Sequence, residues 1–182
     1  MWLEALITRE DFAKVLSEFL PVQISLHPDA QVEDTKQYLK LGQATNVELV
    51  PQQGVRITCP AAISLHMLPT FELNELKVLM KPVITERPTG SVMEFHLVIE
   101  EADFHLVPDF VDNKIVEKAN EALVHRKVSW DFTRTLTHSI EMPKWIDPID
   151  RLQIAPHWGK VRVGRRALSV VISFKLDFAR KD

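Results

Sequence analysis

The chain has 182 residues, 46% of them hydrophobic and 26% charged, with a formal net charge of −3. This composition excludes a disordered chain and a generally basic nucleic-acid-binding protein, and the length suits a single domain, residues 1–182. The single cysteine excludes an internal disulfide framework and a multi-cysteine zinc site. We expect Cys59 to be a small buried hydrophobic residue.

The N-terminal segment 1–7 has neither the basic start nor the long apolar run of a secretory signal. No stretch approaches the roughly 18 uninterrupted apolar residues of a membrane-spanning helix. We therefore expect a cytoplasmic protein, or a periplasmic one if the chain is a processed form.

A first amphipathic helix is predicted after Thr8, a suitable N-cap with Asp11 three residues on. Apolar residues then follow at helical spacing until Pro21 ends the run. They are Phe12, Val15, Leu16, Phe19 and Leu20.

A meander of antiparallel strands is predicted next, because apolar and other residues alternate between short turn segments. The predicted strands cover residues 22–26, 38–41, 47–50, 55–67, 73–86 and 92–99. The odd positions of 55–67 are apolar, which predicts one dry face. We expect Pro60, Pro82 and Pro156 at edges or kinks, and a bulge at Glu100–Glu101.

A second amphipathic helix is predicted at about 109–125, followed by strands. Its apolar stripe comprises Val111, Ile115, Ala119, Ala122 and Leu123. Residues 128–140 alternate and predict one two-faced strand, and short strands are expected around 152–154 and 161–163. A hairpin turn at 164–166 then leads into a last strand with apolar residues at every even position from 168 to 178.

These strands present more apolar side chains to one face than the stripes of two helices can cover. The sheet can close on itself as a barrel, another protein chain can cover the remainder, or a hydrophobic ligand can lie in the groove. We therefore expect an α+β fold, a long, strongly curved antiparallel β-sheet wrapped around two amphipathic helices.

The order of elements resembles the tubular lipid-binding superfamily, which includes bactericidal/permeability-increasing-like domains and small bacterial lipoprotein-type relatives. The features are the capped helix, the segment Phe19-Leu20-Pro21-Val22-Gln23-Ile24, the long strands of the meander and the second helix. The resemblance implies a curved sheet that wraps a long helix and leaves a channel for acyl chains. The chain lacks the signal peptide and disulfide pair of the secreted members.

We expect non-catalytic binding of a lipid or another hydrophobic or amphiphilic ligand in the groove between sheet and helices. The predicted ligand-binding residues are Ile57, Ile63, Leu65, Phe95, Leu97, Trp130, Phe132, Arg134, Ile172 and Phe174. The alternative is a protein interaction module whose apolar face or edge is covered by a partner or by self-association, for example in a homodimer.

Arg134 and His138 fall on the apolar phase of 128–140, so we expect them to point inward, where Arg134 could bind a lipid carboxylate or phosphate. A bulge or a side chain that reaches past the sheet edge would explain the same pattern.

Four basic residues cluster near the last turn: Lys160, Arg162, Arg165 and Arg166. They fit contact with anionic lipid head groups of a membrane surface or with nucleic acid, or a simple solvated turn. Trp145 and Trp158 fit either a membrane interface or packing at the sheet rim.

We predict neither an enzyme nor a cofactor. The seven histidines lack metal-site spacing, and no Gly-rich phosphate loop or Gly-x-Ser-x-Gly motif occurs. Metal and nucleic-acid binding are likewise not expected.

Overall fold

The computed structural model describes residues 1–27, 36–65, 70–87, 90–102 and 109–180, and for 109–111 it describes the backbone only. The end of the predicted strand at 66–67, the turn at 88–89 and the stripe residue Val111 lie outside this description.

The described residues form antiparallel strands with three helices between them. In chain order they are β1 (Trp2–Thr8), α1 (Arg9–Phe19), β2 (Val22–Ser25), β3 (Tyr38–Leu41), β4 (Asn46–Val50), β5 (Gly54–Ser64), β6 (Phe71–Arg87), β7 (Gly90–Ala102), α2 (Asp109–Leu123), β8 (Lys127–Trp130), α3 (Phe132–Leu136), β9 (His138–Glu141), β10 (Ile149–Val163) and β11 (Ala167–Arg180). The predicted antiparallel architecture is confirmed. The strands divide, however, between two sheets instead of forming one.

The larger sheet has the order β2-β3-β5-β6-β7-β8, with β4 also paired to β5. Its inner face follows the predicted alternation, since Val55, Ile57, Cys59 and Ile63 are all buried. Arg126, which precedes β8 at one edge, donates hydrogen bonds to the carbonyl oxygens of Ser25 and His27, at the end of β2 on the other edge. The two edges of this sheet are therefore close together, as in a curled sheet.

The predicted irregularities lie where the strands change register. The pairing of β5 with β6 shifts between Cys59 and Ala61, at Pro60. The pairing of β6 with β7 skips Glu100. A third shift follows Pro156 in β10. Pro82 lies beyond the part of β6 that pairs with β5, so its missing amide hydrogen breaks no ladder on that side.

The outer face of the larger sheet carries ion pairs, and the most connected group is the buried carboxylate of Glu94. Its oxygens lie 2.9 Å from Arg87 Nη2 and 3.1 Å from Lys127 Nζ, and His96 Nε2 lies at 3.3 Å. The hydrogen bond from Lys127 makes the largest contribution to lowering the pKa of Glu94 to about 2. A carboxylate that is nearly inaccessible to water is thus balanced by neighbouring cations.

Helix α1 begins with the predicted capping box, because the side chain of Thr8 accepts from Asp11 N and the side chain of Asp11 accepts from Thr8 N. Phe12, Leu16 and Leu20 are buried, whereas two other residues of the predicted stripe, Val15 and Phe19, are 59% and 63% exposed. The buried stripe is therefore narrower than expected.

Helix α2 packs against β7 through a row of buried residues, Ile115, Ala119 and Leu123. The Asn120 side chain accepts from Ile99 N and donates to Ile99 O. Because β8 pairs with β7 only at residues 93–96, this amide satisfies backbone groups that no strand reaches. In the described part of the chain, no helix is long and apolar enough to cross a membrane.

The smaller sheet has the order β1-β11-β10-β9. Strand β1 was not predicted, and β10 is a single strand of 15 residues where two short ones were expected. The predicted turn at 164–166 is confirmed, and the hydrogen bond from Gly164 N to Ala167 O closes it.

The prediction of one strand over 128–140 is wrong, because β8, α3 and β9 occupy this segment. Asp131 caps α3 by accepting from Arg134 N, and the Thr135 hydroxyl donates to Asp131 O. Phe132 and Leu136 are four residues apart, a spacing that fits a helical turn as well as it fits a strand. The alternation alone could not distinguish the two structures.

Candidate ligand-binding surface

The inner face of the smaller sheet is covered over one half of its length. We call this the proximal half; it comprises residues 2–8, 159–163 and 167–172. Here Leu168, Val170 and Ile172 are buried, and β10 contacts β6, β7 and α3. The proximal parts of β10 and β11 therefore belong to the core, whereas Leu3 and Ala5 of β1, on the same face opposite Ile172 and Val170, are exposed.

Phe132 fills the junction between the two sheets. Its side chain is fully buried, and a Cβ atom added at Gly159 would lie 2.8 Å from its Cζ and 3.0 Å from Ile84 Cδ1. The Trp130 ring lies beside it, with 5.9 Å between ring centroids. Glycine at 159 thus lets the sheet approach the Phe132 ring closely.

The other half of the sheet extends past this junction. We call it the distal half; it comprises residues 138–141, 149–156 and 174–180. Strand β1 pairs only with residues 167–173 of β11, and β9 pairs only with residues 151–154 of β10. The ends of β10 and β11 therefore form a narrow projection with β9 at its edge.

The projection presents an apolar inner face. Ile140, Leu152 and Phe178 are aligned across the three strands, and Ile154 and Leu176 form the next row. Ile140, Leu176 and Phe178 are 47%, 47% and 57% exposed, and Leu152 and Ile154 are partly exposed. Much of this face is therefore accessible to solvent.

The outer face of the same projection is polar. It carries Ser139, Glu141, Arg151, Gln153, Lys175 and Asp177, which alternate with the apolar residues. An apolar face opposite a polar one is typical of a sheet whose apolar side is covered. A contiguous exposed apolar face of this kind is less common on a protein surface than apolar residues exposed singly.

The size of this surface favours a small occupant. Three strands span about 10 Å, and three inner-face rows, including partly buried Phe174, span about 13 Å along the strands. The area that these two lengths enclose is well below the roughly 800 Å² that each partner contributes to a stable protein interface. A narrow apolar molecule would fit it better than a protein surface.

A polar cavity lies at the end of the distal half. It has a volume of about 400 Å³ and is lined by Glu141, Met142, Lys144, Asp150 and Arg151. Lys144 and Arg151 supply cations at the same end of the sheet as Phe178. Three further cavities lie elsewhere in the described part of the chain, and none of these three is lined by a predicted ligand-binding residue.

The ten predicted site residues are divided between core and surface. Ile57, Ile63, Leu65, Phe132 and Ile172 are buried, Phe95, Leu97 and Phe174 are partly buried, and Trp130 is 38% exposed. Ile57, Phe95, Leu97 and Trp130 share the inner face of the larger sheet, whereas Ile172 and Phe174 belong to the smaller one. Their role in ligand binding remains a prediction.

The expectation that Arg134 points inward from a strand is wrong, because it lies on α3 and is exposed. His138 lies on β9 opposite Ile154, on the apolar phase as expected, but it is also exposed. The cations that line the cavity at the end of the distal half are instead Lys144 and Arg151.

Of the distal half, sequence reasoning assigned only Phe174 to a site and none of the residues beyond it. The signal was present in β11, where the alternation continues through Leu176 and Phe178, beyond the residues that β1 pairs with. A strand longer than its neighbour on one side leaves part of its apolar face without a cover.

Chemically reactive groups are not gathered at this surface. In the ranges described, no three His, Cys, Asp or Glu side chains lie together as metal ligands would. Cys59 is fully buried as predicted, and burial raises the pKa of its thiol to about 11. It therefore packs as an apolar group.

The chain was compared with known proteins at three levels. No model of a protein family matches it, and the comparisons with curated proteins and with solved structures gave no match either.

Proposed function

We propose that this protein binds a lipid or another amphiphilic molecule without catalysis, with the apolar part lying on the inner face of the distal half. The observation that supports this is the alignment of Ile140, Leu152, Ile154, Leu176 and Phe178 on one uncovered face. The resemblance to the tubular lipid-binding superfamily points to the same class of ligand.

The energy available is suitable for a reversible ligand. Full burial of an apolar side chain is worth about 1.5–3 kcal/mol, so five partly exposed ones would contribute on the order of 5 kcal/mol before the entropic cost of binding. An acyl chain would supply the matching apolar area. Lys144, which lines the cavity at the end of the sheet together with Glu141, Asp150 and Arg151, would supply a cation for an anionic head group.

We also propose how the rest of the domain relates to this surface. The curled larger sheet, with α1 and α2 as amphipathic helices packed on it, would form the closed body of a tubular lipid-binding fold. The distal half would be its ligand-accepting extension, and the partly exposed Phe95, Leu97, Trp130 and Phe174 would continue the apolar surface toward the junction.

Mass spectrometry of an organic extract, together with light scattering, tests the proposal. We expect co-purified lipid in a monomer. A lipid-free dimer would support the alternative of a protein interaction module, and a lipid-free monomer that takes up no fluorescent fatty acid would refute ligand binding.

The variant Phe178→Glu locates the site. A charge on the apolar surface should lower fatty-acid affinity at least tenfold, because an acyl chain that covers position 178 would desolvate the new carboxylate. Phe19→Glu is the matched control, since Phe19 is similarly exposed but lies on α1. Equal loss in both variants would show that the distal half is not the site.

A further inference from the structure

The outer face of the proximal half differs from that of the distal half. Strands β1, β11 and β10 align Trp2, Ser173 and Trp158 in one row across the sheet. Trp2 is 67% exposed and Trp158 is 41% exposed. Two tryptophans thus flank a small residue on a face that no described residue covers.

Two further rows extend this face toward the last turn. They place Glu4, Val171 and Lys160 in one line and Leu6, Ser169 and Arg162 in the next. Leu6 is 64% exposed. The aromatic row is therefore continuous with an aliphatic side chain and two cations.

The cations continue into the turn, where Arg165 and Arg166 are exposed. No hydrogen bond or ion pair joins the side chains of Lys160, Arg162, Arg165 or Arg166 to any residue in the described ranges. Glu4, the acidic residue of this face, accepts a hydrogen bond from Ser169 Oγ at 2.6 Å. Four unpaired positive charges are therefore concentrated on a chain with a net charge of −3.

Tryptophan and basic residues together fit the surface of an anionic bilayer. Indole rings prefer the interfacial region, where one part of the ring is apolar and the N–H remains hydrated. Lys and Arg are attracted to anionic head groups within a Debye length of the surface. A nucleic-acid surface is less well matched, because Leu6 and Glu4 interrupt the basic area and the chain is acidic.

We propose that the outer face of the proximal half, with the turn at 164–166, docks on a bilayer that contains anionic lipid. The inference deepens the proposed function and rests on it in one respect, namely that the bilayer is the source of the ligand. The docking surface and the ligand surface lie on opposite faces and opposite halves of one sheet. The two can therefore be tested separately.

Sedimentation of the full chain with phospholipid vesicles tests the docking. We expect binding to vesicles of phosphatidylcholine mixed with phosphatidylglycerol, weaker binding at high salt, and little binding to phosphatidylcholine alone. Equal binding to both compositions, or none to either, would overturn the proposal.

Charge reversal at the turn identifies the surface. Arg165→Glu with Arg166→Glu should lower vesicle affinity at least tenfold, because each basic residue near an anionic surface is worth roughly fivefold in affinity. Lys114→Glu with Lys118→Glu, at exposed positions of α2, is the control for the same change in net charge. An equal loss in both double variants would overturn the assignment to this face.

The tryptophan is tested with its own control. Trp158→Ala should weaken binding several-fold, whereas Trp145→Ala, at an even more exposed position outside this face, should not. The reverse order would place the docking surface elsewhere. Circular dichroism shows whether each variant is folded. If Trp158→Ala does not fold, the turn variants, which replace exposed residues, supply the test.

Uptake of a fluorescent fatty acid without vesicles separates the two proposals. The double turn variant should retain uptake, and Phe178→Glu should retain vesicle binding. Uptake without vesicle binding in the native chain would overturn docking alone, and vesicle binding without uptake would overturn the ligand site alone. If the double turn variant loses RNA binding but not vesicle binding, the surface is a nucleic-acid site and the proposal is wrong.

Discussion

The two halves of β11 carry the same alternation but meet different surroundings. Leu168, Val170 and Ile172 lie against the junction and are buried, whereas Leu176 and Phe178, on the same face of the same strand, are about half exposed. The difference comes from the neighbouring elements: Phe132 of α3 and Ile84 of β6 lie against Gly159, which pairs with Ile172 in the proximal half. An alternating apolar face in the sequence thus predicts that something covers it, but only the three-dimensional structure identifies the covering elements.

The largest expected effect tests this contrast directly. Ile172→Ala should lower the free energy of unfolding by about 2–5 kcal/mol, because it opens a cavity in the core. Phe178→Ala should change it by about 0.5 kcal/mol or less, although it removes a larger side chain. Urea denaturation measures both, and equal losses would show that the distal half is covered in the free protein.

A second experiment enlarges a side chain, first at the junction between the sheets and then on the exposed distal face. Gly159→Ala places a methyl group against the Phe132 ring, so we expect a loss of about 1–3 kcal/mol in the free energy of unfolding. Ile140→Phe enlarges a residue on the exposed distal face and should cost far less. A stable Gly159→Ala protein would mean that the junction is looser than the 2.8 Å contact indicates.

The pH dependence of stability tests the polar side of the larger sheet. The pKa of Glu94 is lowered from 4.5 to about 2, so its ion pairs stabilise the folded state above the unfolded-state pKa, and this stabilisation is lost as the pH falls toward 2. We expect the urea midpoint to decline over this range and to decline less in Glu94→Gln. An identical decline in both proteins would assign the effect to other carboxylates.

The smallest expected effect of a substitution concerns the rate at which Cys59 reacts with a thiol reagent. Because the thiol is buried and its pKa is about 11, a thiol reagent should react slowly at neutral pH and rapidly in urea. Phe178→Glu should leave the slow rate unchanged, since Phe178 lies in the smaller sheet and Cys59 in the larger one. A rapid reaction in the native protein would contradict a closed larger sheet.

Much of the fold could be predicted from local patterns. The alternation in 55–65, the capping box at Thr8 and Asp11, and the prolines at register shifts are properties of single segments, and the structure confirms them. The strand β1 was missed because its apolar residues, Trp2, Leu3, Ala5, Leu6 and Ile7, lack a simple alternation and its strand character depends on pairing with β11, far away in the sequence.

The candidate site was less predictable for the same reason. Which apolar residues remain exposed depends on where neighbouring strands end, and no pattern within β11 encodes the length of β1. The segment 128–140 shows the complementary error: five apolar residues on alternate positions were interpreted as a strand, while Asp131 and the threonine hydroxyls favoured a helical turn.

The amide of Asn120 has a consequence for the behaviour of the protein in a crowded solution. An unpaired strand edge is a template onto which a second molecule can add its own strand, and this is a common start of aggregation. By bonding both backbone groups of Ile99, Asn120 occupies one rung of that template. A single side chain thereby helps to keep neighbouring molecules from joining their sheets edge to edge.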